Sequence, residues 1–213
     1  MNRQSVIIID YGFGNLHSLV KALLRLGAHP SLTERPEDVA TADAVFLPGV
    51  GAFGQGMAEL SRRGFVSPLK EYASSGKPLF GICLGMQFLF EYSEEFGKHQ
   101  GLGLLRGGVK RIVPQEKQCK IPHIGWNELL MPTGRHSWDG TILHGLHEHE
   151  QAYFVHSYAA HPSDAGDAVA NTEYCGAVFA SVVEKGNVAG TQFHPEKSGE
   201  AGLRILKNCL ERV

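Results

Sequence analysis

Two short stretches of this chain carry side chains able to do covalent chemistry. In GICLGMQ, residues 81–87, one thiol stands between glycines directly after the apolar run 78–82, where a strand is expected to turn into a helix. A sharp strand-to-helix turn exposes the side chain at its apex, and the first N–H groups and positive end of the new helix favour thiolate over thiol. Cys83 is therefore the candidate nucleophile; the plain alternative is one more buried small hydrophobe, the usual lot of a free cysteine. Far downstream the chain reads TQFHPEKS, with His194 and Glu196 two positions apart at the end of a strand expected over residues 188–193. Period-two alternation is expected to put both side chains on one face, and Pro195, with no N–H to donate, to close the strand. A thiol, an imidazole and a carboxylate that fixes the imidazole's tautomer make up the generalised triad of nucleophilic acyl transfer. His-x-Glu alone is a weak signal; joined to the cysteine turn it is a strong one.

The elements that must position these groups follow from periodicity. Residues 6–9, 44–47 and 78–82 read as buried strands, and 15–26 as a helix whose apolar face is Leu16, Leu19, Val20, Leu23 and Leu24, ended by Gly27. Continuous apolar strands alternating with helices predict an α/β fold, a mostly parallel central sheet with helices on both faces and function at the carboxyl ends of the strands, where Cys83 and Pro48 fall. From residue 107 to 193 the pattern shifts to short alternating strands, including 153–156, 176–183 and 188–193, which predicts a mixed, partly antiparallel portion. A helix over 199–212, with Leu203, Ile205, Leu206 and Leu210 as its apolar residues, is expected to close a single domain spanning 1–213.

Composition narrows the function classes. A net charge of −2 with mixed signs argues against nucleic-acid or membrane-surface binding. Cys83, Cys119, Cys175 and Cys209 are widely spread with no CxxC pair, so neither a disulfide framework nor a thiolate zinc site is expected, and a reducing, cytoplasmic location fits best. MNRQS leads into only four apolar residues, too few for a signal peptide's core or a membrane span.

Three loops invite chemistry. GFGN, residues 12–15, offers G-x-G after a first strand, but His17 stands where a dinucleotide fingerprint needs its third glycine, and Glu34 is the nearest acid for a ribose. PGVG, residues 48–51, matters more. Thiolate attack on a carboxamide creates an oxyanion, which needs donors already in place, and backbone N–H groups beside glycines can approach closely. The N–H of Leu84 is one expected donor; an ordinary glycine turn is the bland reading of PGVG. Gln87, one helical turn beyond the nucleophile, is expected to face the same pocket and bind the substrate's amino-acid end, unless it faces solvent. His144, His147 and His149 with Glu148 and Glu150 have no fixed ligand spacing, so no metal is expected there, and no cofactor elsewhere.

The order Cys83, His194, Glu196, with GICLGMQ around the thiol and HPEKS downstream, resembles the class I, triad-type glutamine amidotransferases. Within that class PGVGAF (48–53), DYGFGNLHS (10–18), IPHIGWN (121–127) and YFVHSY (153–158) are similar to the glutaminase subunits of imidazole glycerol phosphate synthase, and the similarity covers nearly the whole chain. The resemblance implies a flavodoxin-like fold and glutamine as substrate. Cys83 would attack the side-chain amide while His194, held by Glu196, moves the proton to the departing nitrogen, leaving a thioester that water cleaves. It implies a second oxyanion donor from Gly49, Val50 and Gly51, a segment expected to rearrange when the partner's site fills. Gly49, Gln87, Ser157 and Tyr158 would hold the substrate, the last two at its carboxylate. A partner is implied too, the (β/α)8-barrel cyclase subunit of imidazole glycerol phosphate synthase, because ammonia released into water is protonated and ceases to be a nucleophile. Asn15, Trp126 and Lys197 would face it. His123 and His156 sit in matching motifs and are expected to be structural. Residues 131–150 depart from the pattern, being longer and richer in histidine, and the resemblance sets no register there. A glutaminase subunit for anthranilate or vitamin B6 synthesis, a stand-alone cysteine amidohydrolase and a noncatalytic binding subunit are the alternatives. PGVGAF, GWN and HPEKS weigh against the first, and a noncatalytic subunit would typically have lost the thiol or imidazole.

Overall fold

The computed structural model describes residues 5–14, 16–116 and 118–213. In chain order the elements are β1 (Val6–Ile9), α1 (Leu16–Arg25), β2 (Pro30–Thr33), β3 (Ala44–Gly49), α2 (Phe53–Arg62), α3 (Val66–Ser74), β4 (Leu79–Cys83) and α4 (Leu84–Phe88). There follow β5 (Phe90–Ser93), β6 (His99–Gln100), β7 (Leu105–Arg111), β8 (His123–Glu128), β9 (Gln151–His156), β10 (Tyr158–Pro162), β11 (Ala168–Tyr174), β12 (Ala177–Lys185), β13 (Val188–Thr191) and α5 (Gly199–Leu210).

The main sheet runs β2-β1-β3-β4-β13-β12-β10-β7-β5-β6, with β11 beside β12. Its first five strands are parallel; β12, β10 and β11 bring in antiparallel pairing. The α/β expectation of a mostly parallel sheet with a mixed portion therefore describes the molecule. Alternation along the strands divides the core. Ile8, Phe46, Phe80 and Ile82 point to one face with Leu19 and Leu23 of α1 and Ile205 and Leu206 of α5. Ile7, Ile9, Val45, Leu47 and Leu79 point to the other with Leu60 of α2, Leu69 of α3 and Met86 of α4. Each such fully buried side chain contributes about 1.5–3 kcal/mol relative to exposure. β8 and β9 form a separate two-stranded sheet over the carboxyl end of β13.

Several expectations need correction. β2 had no sequence signal: PSLT has no apolar run, lies at the sheet edge and buries only Thr33. α2 and α3 also lay outside the sequence reading. α1 buries Ala22 while Leu24 stays 49% exposed, so its stripe is narrower than its leucines suggest. The strand expected over 188–193 ends at Thr191, and a 3₁₀ turn, Pro195–Lys197, replaces its continuation. Cys119 and Cys175 form a disulfide across a sequence separation of 56, contrary to the expectation of none. The pairing arises because the loop after β7 lies against the β11–β12 turn, where the Gln115 N–H donates to the Cys175 carbonyl at 2.9 Å. Among the described residues no helix is long and apolar enough to cross a membrane.

Candidate active site

Cys83 ends β4 and caps α4, with φ 55 and ψ −111. A non-glycine residue there is strained, and the surroundings enforce it. A Cβ on Gly85 would run into the Leu47 carbonyl oxygen of β3, so only glycine lets the helix start this close to the neighbouring strand. Cys83 is buried at 5% exposure at the base of a cavity of about 320 Å³, lined also by Val50, Gly51, Leu84, Gln87, Glu95, His156, Ser157 and Tyr158. That volume is at the small end for ligand pockets. Gly49 is beside it, at the end of β3 and paired with Cys83.

His194 and Glu196 reach the same place from β13, the strand bonded directly to β4 through Thr191 and Ile82. They do so off a strand end and a 3₁₀ turn, not by strand alternation. His194 Nδ1 lies 2.8 Å from Glu196 Oε1, with side-chain exposures of 4% and 3%. Burial pushes the imidazole's pKa down, but the Cys83 sulfur and the Glu196 carboxylate outweigh it and hold it at about 10. Among the described residues, none gives His194 Nε2 or Glu196 Oε2, both buried, a geometrically formed hydrogen bond. The imidazole thus stays protonated through the neutral range, held by Glu196 on Nδ1 and by the charge of the Cys83 sulfur nearby.

The backbone donors are unequally ready. Leu84 is the first residue of α4, and an N–H at that position has no acceptor within its own helix. Val50, by contrast, donates its N–H to the Phe13 carbonyl at 3.2 Å. Gly51 follows at φ +100, a conformation open to glycine. Gln87 is buried and its Nε2 donates to the Tyr158 carbonyl at 2.9 Å and to Gln192 Oε1 at 3.0 Å.

Two residues of this site escaped the sequence reading. Glu95 supplies a carboxylate to the cavity and accepts the Phe53 N–H at the start of α2, at 2.6 Å; its loop position gave no signal. Gln192 donates from Nε2 to Cys83 Sγ at 3.8 Å. The spacing that selected His194 and Glu196 includes residue 192 and could have found it. Of the residues read as facing a partner, Asn15 lies outside those described. Trp126 is 56% exposed and meets Tyr153 edge-on at 6.1 Å, and Lys197 lies 6.0 Å over the same ring, so the two share one surface. The histidines of residues 131–150 do not gather: His144 pairs with Asp139 and His149 with Glu128.

The glutamine amidotransferase class-I family matches residues 7–213 of this chain. The imidazole glycerol phosphate synthase subunit HisH 1 of Legionella pneumophila (strain Lens) is 45% identical over 97% of this chain and 99% of its own length. The corresponding HisH subunit of Syntrophotalea carbinolica is 46% identical over 95% and 98%. In fold, the chain is similar to a solved glutamine amidotransferase at a TM-score of 0.73 and 20% identity, covering 97% of this chain and 98% of that one. It is similar to the structure of PurLQS from Thermotoga maritima at 0.70 and 21%, covering 98% of both.

Proposed function

Because this chain belongs to the class-I glutamine amidotransferase family, we propose that it is the glutaminase subunit of an imidazole glycerol phosphate synthase, with Cys83, His194 and Glu196 as its triad. The observation that carries the residue assignment is the buried thiol at the head of α4 beside the closed His194–Glu196 pair.

Cys83 Sγ attacks the side-chain amide carbon of glutamine, its proton held on His194. The carbonyl oxygen becomes an oxyanion that the Leu84 N–H meets, with a second donor from Gly49, Val50 or Gly51. Val50 can serve only after its N–H leaves the Phe13 carbonyl. Collapse breaks the C–N bond, His194 gives its proton to the departing nitrogen, and ammonia leaves a glutamyl thioester. Water, deprotonated by His194, cleaves the thioester to glutamate and the free thiol. The substrate's α-ammonium needs an anion, and Glu95 is the carboxylate lining the cavity. Ser157 and Tyr158 meet its α-carboxylate, and Gly49 and Gln87 shape the remaining wall.

The ammonia passes to a cyclase subunit of (β/α)8-barrel form, which joins it to a phosphoribosyl precursor to give imidazole glycerol phosphate and an aminoimidazole carboxamide ribotide. The exposed Trp126 and Lys197, which share the Tyr153 ring, form the docking surface. Glutamine hydrolysis by the purified chain, measured alone and then with the cyclase subunit and its ribotide ligand, tests this. Slow hydrolysis that rises steeply in the complex is expected. Full activity without a partner would make the chain an independent hydrolase, and a Cys83→Ala protein that still releases glutamate would remove the triad assignment.

A further inference from the structure

A continuous chain of polar groups runs from β8 to the nucleophile, and its polarity is fixed. The Tyr158 carbonyl can only accept. His156 Nδ1, 2.9 Å away, must therefore carry a proton. Burial pushes the pKa of His156 down to about 3 and that of His123 to about 4, so both rings are neutral. His156 Nε2 then accepts from His123 Nδ1 at 3.2 Å, and His123 Nε2 from Asn127 Nδ2 at 3.3 Å. The same carbonyl fixes the other arm. Gln87 must turn its NH₂ toward it, and the second N–H of that group meets Gln192 Oε1. Gln192 is left with one orientation, its own NH₂ toward Cys83 Sγ at 3.8 Å. Gln192 is fully buried, and its backbone N–H is anchored on the Ser181 carbonyl of β12 at 2.8 Å.

Resting on the reading of Cys83 as nucleophile, we infer that Gln192 is a further catalytic residue: its side-chain amide N–H, aimed by Gln87 and the Tyr158 carbonyl, stabilises the Cys83 thiolate. A thiolate is a stronger acceptor than a thiol, so this donor favours the ionised form. A buried, preoriented amide does so without adding charge, leaving the imidazolium's proton for the leaving group. Gln87 is a positioning residue in this arrangement. The other titratable groups acting on the sulfur are His194 after β13 and Tyr11 after β1; Tyr11 has its own pKa raised, chiefly by burial and secondarily by Cys83.

The test is the pH dependence of Cys83 alkylation by iodoacetamide, followed on the Cys83 peptide by mass spectrometry in the intact folded chain. Gln192→Met keeps length and bulk and removes the donor. Alkylation at pH 7 is expected to slow about tenfold, with the midpoint of the profile about one unit higher, as loss of one hydrogen bond to a charged group implies. Gln192→Glu, of equal size, is expected to shift it further by placing an acceptor against the sulfur, and stands in should the methionine variant not fold. Gln87→Met is expected to move the midpoint the same way by less. An unchanged profile in a folded Gln192 variant would overturn the inference and leave Gln192 a packing residue. The readout needs no glutamine, so it fails or succeeds separately from the glutaminase assignment, which Cys83→Ala decides.

Discussion

Glu196 Oε1 sits 2.8 Å from His194 Nδ1 with both side chains closed to solvent, and this contact, together with the Cys83 sulfur, outweighs burial and holds the imidazole charged. The imidazole's folded pKa of about 10 lies above its ordinary 6.5, so the charged ring is the form the fold favours. The resulting stabilisation is whole below pH 6.5 and is lost as pH rises toward 10. Glu196→Gln is expected to lower kcat by about 10²–10⁴-fold, by analogy with loss of a triad carboxylate. Urea unfolding of the two proteins is expected to show a stability gap that narrows from pH 6.5 to 10. A gap that widens over that range would mean that the carboxylate does not hold an imidazolium.

The His123–His156 pair predicts the opposite dependence. Both folded pKa values, about 4 and about 3, lie below the ordinary 6.5, so the unfolded chain binds more protons as the medium is acidified. Stability is unaffected by these groups above pH 6.5 and falls between 6.5 and about 3, by at most about 1.4 kcal/mol per pH unit for each ring. Replacing His123 with Gln is expected to reduce this acid slope, measured by chemical denaturation, by about the share of one proton. An unaltered slope would show that His123 is charged in the fold.

Trp126 offers a separation of stability from association. More than half exposed, it contributes little to its own chain, and Trp126→Ala is expected to change folding stability by less than about 0.5 kcal/mol. As a rigid aromatic on the proposed docking surface it is expected to cost about 2 kcal/mol, some thirtyfold, in affinity for the cyclase subunit. Calorimetric titration and a melting curve of the same variant check both. A full-strength complex would move the docking surface elsewhere.

The Cys119–Cys175 link spans a long loop, and closing it restricts the unfolded chain. The chain-entropy argument allows about 4 kcal/mol at most for a loop of this size, and measured effects commonly fall short of it. Cys175→Ser is therefore expected to lower Tm, and reductant to lower that of the parent protein but not of the variant. Equal Tm values for the parent with and without reductant would show that the link adds nothing.

That Cys83, His194 and Glu196 come together was legible because each sits in a motif whose local geometry is self-contained: glycines around Cys83, a proline between His194 and Glu196. The buried strands were legible for the same reason, as β1, β3 and β4 are apolar without interruption. What stayed hidden depends on distant partners. β2 exists because β1 offers it an edge, not because Pro30–Thr33 favours a strand. Glu95 belongs to the cavity because α2 needs an acceptor at its start, and the disulfide because two loops remote in sequence converge. Gln192 lay within the spacing used for its neighbours, but a neutral amide carries no chemical flag of its own.

The position of β13 bears on how the protein comes into being. The sheet's middle strand, the one that joins the parallel half to the antiparallel half, enters late in chain order, long after β4 has left the ribosome. Until it inserts, β4 and β12 present open edges to one another and the thiol has no imidazole. A nascent or truncated chain therefore holds Cys83 at the end of β4 before the strand that brings His194 beside it has been made.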